Sequence, residues 1–95
     1  MTGKLPQIEL LEATHDFPAA YVLKVIGSAS DDFVTRIVAA VQDELGGECE
    51  LPFRTRETPN GRHVSVTFEP IMQSAEQIVA VYQRVYETAG VVMVL

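Results

Sequence analysis

Asn60-Gly61, set between two runs that alternate apolar and polar side chains, constrains this chain more than any other pair of residues. A two-residue hairpin turn of type I′ needs positive φ at both central positions, and Asn and Gly tolerate that at the lowest cost. Pro59 just before the pair lacks an N–H and helps to close the preceding strand. After the turn, Val64, Val66 and Phe68 alternate with His63, Ser65, Thr67 and Glu69, the period of a strand with one buried face. Before it, Leu51, Phe53 and Thr55 alternate with Pro52, Arg54 and Arg56. A proline and two charges suit a sheet edge, while the more apolar second strand suits a central place.

The remaining elements follow from the same kind of signal. Tyr21 to Ile26 reads as a strand apolar on both faces and therefore central, ended by Gly27. Ser30 is the expected helix cap, with Asp31 and Asp32 in the first turn facing the positive end of the helix dipole. Phe33, Ile37, Val41 and Leu45, widened by Val34 and Val38, predict a helix that Gly46-Gly47 stops. Ser74-Ala75-Glu76-Gln77 is a capping box opening a second helix, whose apolar face is Ile78, Val81, Tyr82 and Val85. That helix is expected to end near Thr88, and Val91 to Leu95 to form a last strand. Residues 1–18 read as a loosely ordered arm with room for one helical turn, because Pro6 and the short span make an independent helix marginal.

Strand, helix, strand, strand, helix, strand is the order of two split βαβ units. With right-handed crossovers it predicts an α+β, ferredoxin-like βαββαβ two-layer sandwich. Residues 19–95 then form one domain, a four-stranded antiparallel sheet with two helices on one face and the first and third strands central. Two helices cover one face only. If Val64, Val66 and Phe68 meet them, then His63, Ser65 and Thr67, with Arg54, Arg56 and Lys24, share the open face. Such a face is either a solvated surface guarded by charges or a surface for a protein partner or a second copy.

Composition limits the partners. The 95 residues are 47% apolar, enough for one core, and carry a net charge of −6 with a pI near 4.7. That balance disfavours nonspecific contact with nucleic acid or an anionic membrane, because phosphate contacts need clustered Lys and Arg. No apolar run approaches the roughly 18 residues of a membrane span, and Met1-Thr2-Gly3-Lys4 leads into no signal-peptide core, so a cytoplasmic location is expected. The single cysteine, Cys49, rules out an internal disulfide framework and any multi-cysteine zinc site.

Catalytic and metal chemistry finds little purchase. His63 and Ser65 share a face but stand two strand residues apart, about 6.6 Å by rise, too far for a nucleophile–base hydrogen bond. Glu48 and Glu50 flank Cys49 and raise a thiol pKa rather than lower it. Asp43, Glu44, Glu48 and Glu50 lack the alternating ligands of a calcium loop. No catalytic residue, metal or cofactor is expected. The loop from Gly27 through Ser28 and Ser30 to Asp31 could offer backbone N–H groups at a helix start. Asp31 and Asp32 would repel a phosphate there, while a carboxylate-bearing or zwitterionic ligand stays open. RNA recognition on this strand order needs aromatic side chains on the open face, and the third strand places none there.

Several blocks resemble one family: Ile8-Glu9-Leu10-Leu11-Glu12, Phe17-Pro18, Tyr21, Lys24-Val25-Ile26-Gly27, Asn60-Gly61-Arg62-His63-Val64-Ser65-Val66-Thr67 and Val92-Met93-Val94-Leu95. They are similar to the YbeD-like small bacterial proteins over nearly the whole chain, with Ala13 to Asp16 longer than usual. The resemblance implies a ferredoxin-like fold similar to ACT regulatory domains, which bind small ligands such as amino acids at subunit interfaces. It implies no biochemical activity and so no catalytic residues, only a loose association with lipoate metabolism through neighbouring genes. The resulting expectation is a non-enzymatic regulatory or adaptor module working through the open sheet face or an edge strand. The alternative is an ACT-like sensor of an amino acid or lipoate-related metabolite bound near the first strand–helix loop.

Overall fold

The computed structural model describes residues 5–46 and 51–95. Within them the chain is a mixed α+β structure. Helix α1 (Ile8–Thr14) is followed by β1 (Ala19–Ala20), β2 (Leu23–Ser28), α2 (Phe33–Glu44), β3 (Phe53–Glu57) and β4 (His63–Phe68). Then come β5 (Ile71–Met72), α3 (Ala75–Tyr86) and β6 (Val91–Val94). The four longer strands form an antiparallel sheet in the order β3-β4-β2-β6, and β1 pairs with β5 in a separate two-stranded sheet.

Alternation decides which face is buried. Leu23 and Val25 of β2 and Val64, Val66 and Phe68 of β4 are buried with Phe33, Ile37 and Val41 of α2 and Ile78, Val81 and Val85 of α3. The expected strand from Tyr21 to Ile26 therefore lies two residues later, at Leu23–Ser28, and its burial alternates strictly rather than covering both faces. Among the described residues, helices lie against one face of the sheet only. Every residue of β3 is exposed, as expected of a charged edge.

Four local expectations change. First, the hairpin turn is not type I′: Asn60 is absent from the residues with positive φ, and the Gly61 N–H donates to the Thr58 carbonyl at 2.9 Å. The turn is Thr58-Pro59-Asn60-Gly61, with Pro59 at the position whose fixed φ suits a type I turn and Gly61 (φ +70) returning the chain to β4. The Asn60 side-chain oxygen accepts from Thr58 Oγ1 at 2.8 Å and from the Arg62 N–H at 3.0 Å, which holds this geometry.

Second, Ser30 does not cap α2. Its hydroxyl is spent on Ser28 Oγ at 2.7 Å, and its carbonyl accepts the Phe33 N–H at 3.2 Å. Asp31 (φ 56) and Asp32 (φ 54) stand before the helix in the left-handed region, which Asp tolerates better than most residues, and α2 begins at Phe33. Third, Gly27 is inside β2 rather than after it. A Cβ at Gly27 would lie 2.2 Å from Phe33 Cζ, so the bare α-carbon is what lets the ring lie on the sheet.

Fourth, the segment expected as a loose arm contains a seven-residue helix. Leu11 of α1 is buried and joins the core, while Leu5 and Ile8 pack beside it. Tertiary burial supplies what a helix this short lacks by itself. His15, Phe17, Tyr21, Tyr82 and Tyr86 continue this packing as a chain of ring contacts 5.5–6.4 Å apart. The Tyr21 and Tyr82 hydroxyls meet at 3.0 Å. Burial, followed by that hydrogen bond, raises the Tyr82 pKa well above the usual tyrosine value. The capping box forms as read, with Ser74 Oγ accepting the Gln77 N–H at 3.1 Å, although Gln77 reaches back to the Gln73 N–H rather than to Ser74. The expectations on Gly47, Glu48, Cys49 and Glu50 lie outside the described residues.

Gly61→Ala is expected to lower stability by about 1 kcal/mol, because Ala resists positive φ. Gly27→Ala should cost more, about 1–3 kcal/mol, because a buried ring has to move. Urea midpoints of the two variants check both values and their order. The neutral Tyr82 hydroxyl is the form the fold favours, so its contribution is complete below about pH 10 and is lost as pH rises beyond. Tyr82→Phe should therefore flatten the alkaline fall in stability, measured as the unfolding midpoint between neutral and strongly alkaline pH.

Candidate functional site

The strand registers bring the expected open-face residues together. Lys24 lies opposite Thr67, and Thr67 opposite Arg54; Ile26 lies opposite Ser65, and Ser65 opposite Arg56; Ser28 lies opposite His63. On the other side of β2, Ile26 pairs with Met93, and Lys24 exchanges both backbone hydrogen bonds with Leu95. The face thus runs from guanidinium groups on β3, through hydroxyls on β4 and an ammonium on β2, to apolar side chains at β6. Lys24, Arg54, Arg56, His63, Ser65 and Thr67 all belong to it.

Its electrostatics are the reverse of the molecule's. In a chain of net charge −6, the face gathers three of seven Lys and Arg residues. No paired position on it is acidic: Glu57 turns to the other side, opposite Val64, and Glu69 lies beyond the end of β4. Lys24, Arg54 and Arg56 form no ion pair with a described carboxylate, the close pairs being Arg84 with Asp43 at 2.9 Å and with Glu44 at 4.0 Å. A shallow cavity of about 250 Å³ at the hairpin end of this face is lined by Lys24, Ile26, Arg56 and Ser65, with Glu57, Thr58 and Pro59 closing it, so one carboxylate does border the basic groups there. The Ser65 hydroxyl donates to the Arg56 carbonyl at 3.3 Å, across the strand pair. The two central strands present no Phe, Tyr or Trp on this face.

The expected ligand loop is assembled differently. The Ser28 N–H donates to the Gly90 carbonyl and the Ala29 N–H to the Arg62 carbonyl, both at 3.0 Å, so neither is available to an anion. Gly27 is covered by Phe33. Ser30 and Asp31 do line a cavity of about 370 Å³, with Asp32, Phe33, Thr35, Glu57 and Val64 among its other walls. Three carboxylates make that cavity hostile to phosphates and to free carboxylates. Among the described residues no group of three or more His, Cys, Asp or Glu side chains could hold a metal ion.

Arg36 is the residue that sequence reasoning missed. Its Nε donates to the Asp31 carbonyl at 2.8 Å, its Nη1 donates to the Ala89 carbonyl at 2.7 Å, and its guanidinium stands 5.9 Å from the centre of the Phe33 ring. It ties the loop entering α2 to the loop entering β6. Its sequence signal is faint, since a basic residue in the first turn of a helix opposes the helix dipole and so calls for another partner.

A charged, one-sided sheet backed by helices defines a small α+β protein with a single bare face. The chain belongs to the family described as a protein of unknown function, DUF493, whose model matches residues 12–95. It is 38% identical to a UPF0250 protein of Shewanella piezotolerans over 80 residues, covering 84% of this chain and 89% of that one. It is 33% identical to a UPF0250 protein of Haemophilus ducreyi over 91 residues, covering 96% and 91%. These relatives bear out the resemblance to the YbeD-like bacterial proteins. Among the described residues no helix is long and apolar enough to cross a membrane.

Proposed function

We propose that this protein is a non-enzymatic adaptor or regulatory module that binds an acidic protein surface through its open sheet face. The four-stranded layer is read as a ferredoxin-like, ACT-like sheet, with α1 and the β1–β5 pair added beside it. The observation that carries the reading is the basic triad of Lys24, Arg54 and Arg56, unpaired among the described residues, on a face with no acidic paired position, in an acidic chain. Cations left without internal partners do little for the fold, and a complementary charged patch steers and orients a partner. The hydroxyls of Ser65 and Thr67 and the imidazole of His63 supply hydrogen bonds between the charges.

Arg54→Glu with Arg56→Glu tests the placement. Both side chains are exposed, so the double variant should fold with an unfolding midpoint close to that of the wild type. Proteins retained by the immobilised wild type, and released by moderate salt, should not be retained by the variant. Undiminished retention by the folded variant overturns the reading. The competing sensor reading is tested by thermal unfolding with amino acids and lipoate. A ligand at 100 times its dissociation constant stabilises by about 2.7 kcal/mol, a shift of roughly 10 °C in a domain this size. Such a shift would favour the sensor reading over the adaptor.

A further inference from the structure

The two edges of the four-stranded sheet are unlike. β3 carries Arg54, Arg56 and Glu57, the kind of charged edge that resists pairing with another chain. β6 and the residue after it read Val91-Val92-Met93-Val94-Leu95, with no charged side chain. Val92 is 55% exposed, Met93 49% and Leu95 58%. Among the described residues β6 pairs only with β2, which leaves its other side a free edge. Leu95 spends its N–H and C=O on Lys24, at 2.8 and 3.2 Å, and strand alternation therefore turns those of Val94 outward. The register shifts opposite the step from Ile26 to Gly27, where Ile26 meets Met93 but Gly27 meets Val91, and leaves Val92 as the extra residue.

An apolar edge with free backbone donors and acceptors is completed by another strand. The chemistry of the edge narrows which strand. A charged segment would find no charged side chain to pair with between Val91 and Leu95, whereas a second copy of the same five residues matches it apolar side chain for apolar side chain. Two copies of one strand can pair antiparallel about a two-fold axis, the self-complementary arrangement of a symmetric dimer. With the axis at Met93, that residue meets its own copy and Val92 meets the partner's Val94. The axis keeps both helix layers on one side and both open faces on the other. It also places the Arg54 and Arg56 edges at the two far ends, so the acidic molecules approach through their uncharged margins.

We infer that β6 pairs antiparallel with β6 of a second copy, joining two four-stranded sheets into one of eight strands. The pairing extends the contact surface proposed above and is tested separately from it. A single strand edge of five residues falls short of the roughly 800 Å² per partner of a standard interface. The dimer is accordingly a reversible one, of micromolar rather than nanomolar affinity.

Sedimentation velocity of the wild type from roughly 1 µM to 1 mM should show the mass doubling, and Val92→Lys with Met93→Lys should hold the monomer mass throughout. Both replaced side chains are exposed, and circular dichroism checks that the variant folds. Amide exchange of the wild type supplies a readout that needs no variant: the Val94 N–H should slow at least tenfold between the dilute and concentrated ends. Arg54→Glu with Arg56→Glu should dimerise as the wild type does, because those residues lie on the opposite edge. A wild type that stays monomeric at 1 mM (roughly the upper end of weak association), a dimer that persists in the folded double-Lys variant, or a dimer with unchanged Val94 exchange overturns the inference. Any of these results would leave the binding of an acidic partner through the open face standing, and loss of that binding alone would leave the dimer standing.

Discussion

The ring of Phe33 lying on the bare α-carbon of Gly27 is the contact on which the rest of this structure depends. It is where sheet, first long helix and last strand meet. The ring reaches the sheet because Gly27 has no Cβ, and it approaches Gly90 closely, where an added Cβ would stand 3.1 Å from it. Arg36 closes the arrangement from outside, bonding the carbonyls of Asp31 and Ala89 with its guanidinium over the same ring. The left-handed Asp31 and Asp32 lead the chain from β2 into a helix whose first residue is that Phe. The register shift between β2 and β6 falls at the same step, Ile26 to Gly27. One close approach thus accompanies the start of α2, the entry to β6 and the extra residue at the sheet margin.

A sheet covered by helices on one side must keep a second face in water, and here that face carries a charge opposite to the whole. Val64, Val66 and Phe68 are held in the core by burial, and their alternation leaves His63, Ser65 and Thr67 outside. The register then adds Arg54, Arg56 and Lys24. None of these cations contributes to a described ion pair, so their placement does little for stability and much for the surface potential. The same alternation makes the two margins different: guanidinium groups line one, while Met93 and Leu95 line the other. The basic face and the apolar edge are separate surfaces, so the two contacts proposed above do not block one another.

Much of this was legible beforehand. The open-face set could be read from the sequence because strand alternation has a period of two, and one anchored strand fixes the faces of its neighbours once their pairing is known. The ligand loop could not, because the fate of a backbone N–H depends on which carbonyl the fold brings to it. Ser28 and Ala29 give theirs to Gly90 and Arg62, residues more than thirty positions away in sequence. Arg36 escaped notice for the same reason: the Ala89 carbonyl it binds belongs to a loop 53 residues distant. The hairpin turn was placed correctly and typed wrongly, since Pro59 suits the second position of a type I turn better than it suits the end of a strand.

By itself, the sequence determined the long elements and their faces, from the hairpin at Asn60-Gly61 through the two amphipathic helices, because hydrophobic periodicity and turn chemistry are local properties. Only the tertiary structure decided where α2 starts, why Gly27 must be glycine, and that residues 8–14 form a helix against α3. Those outcomes rest on contacts between distant segments. A short helix gains its stability from burying Leu11, and a glycine inside a strand acquires its meaning only from the ring that lands on it.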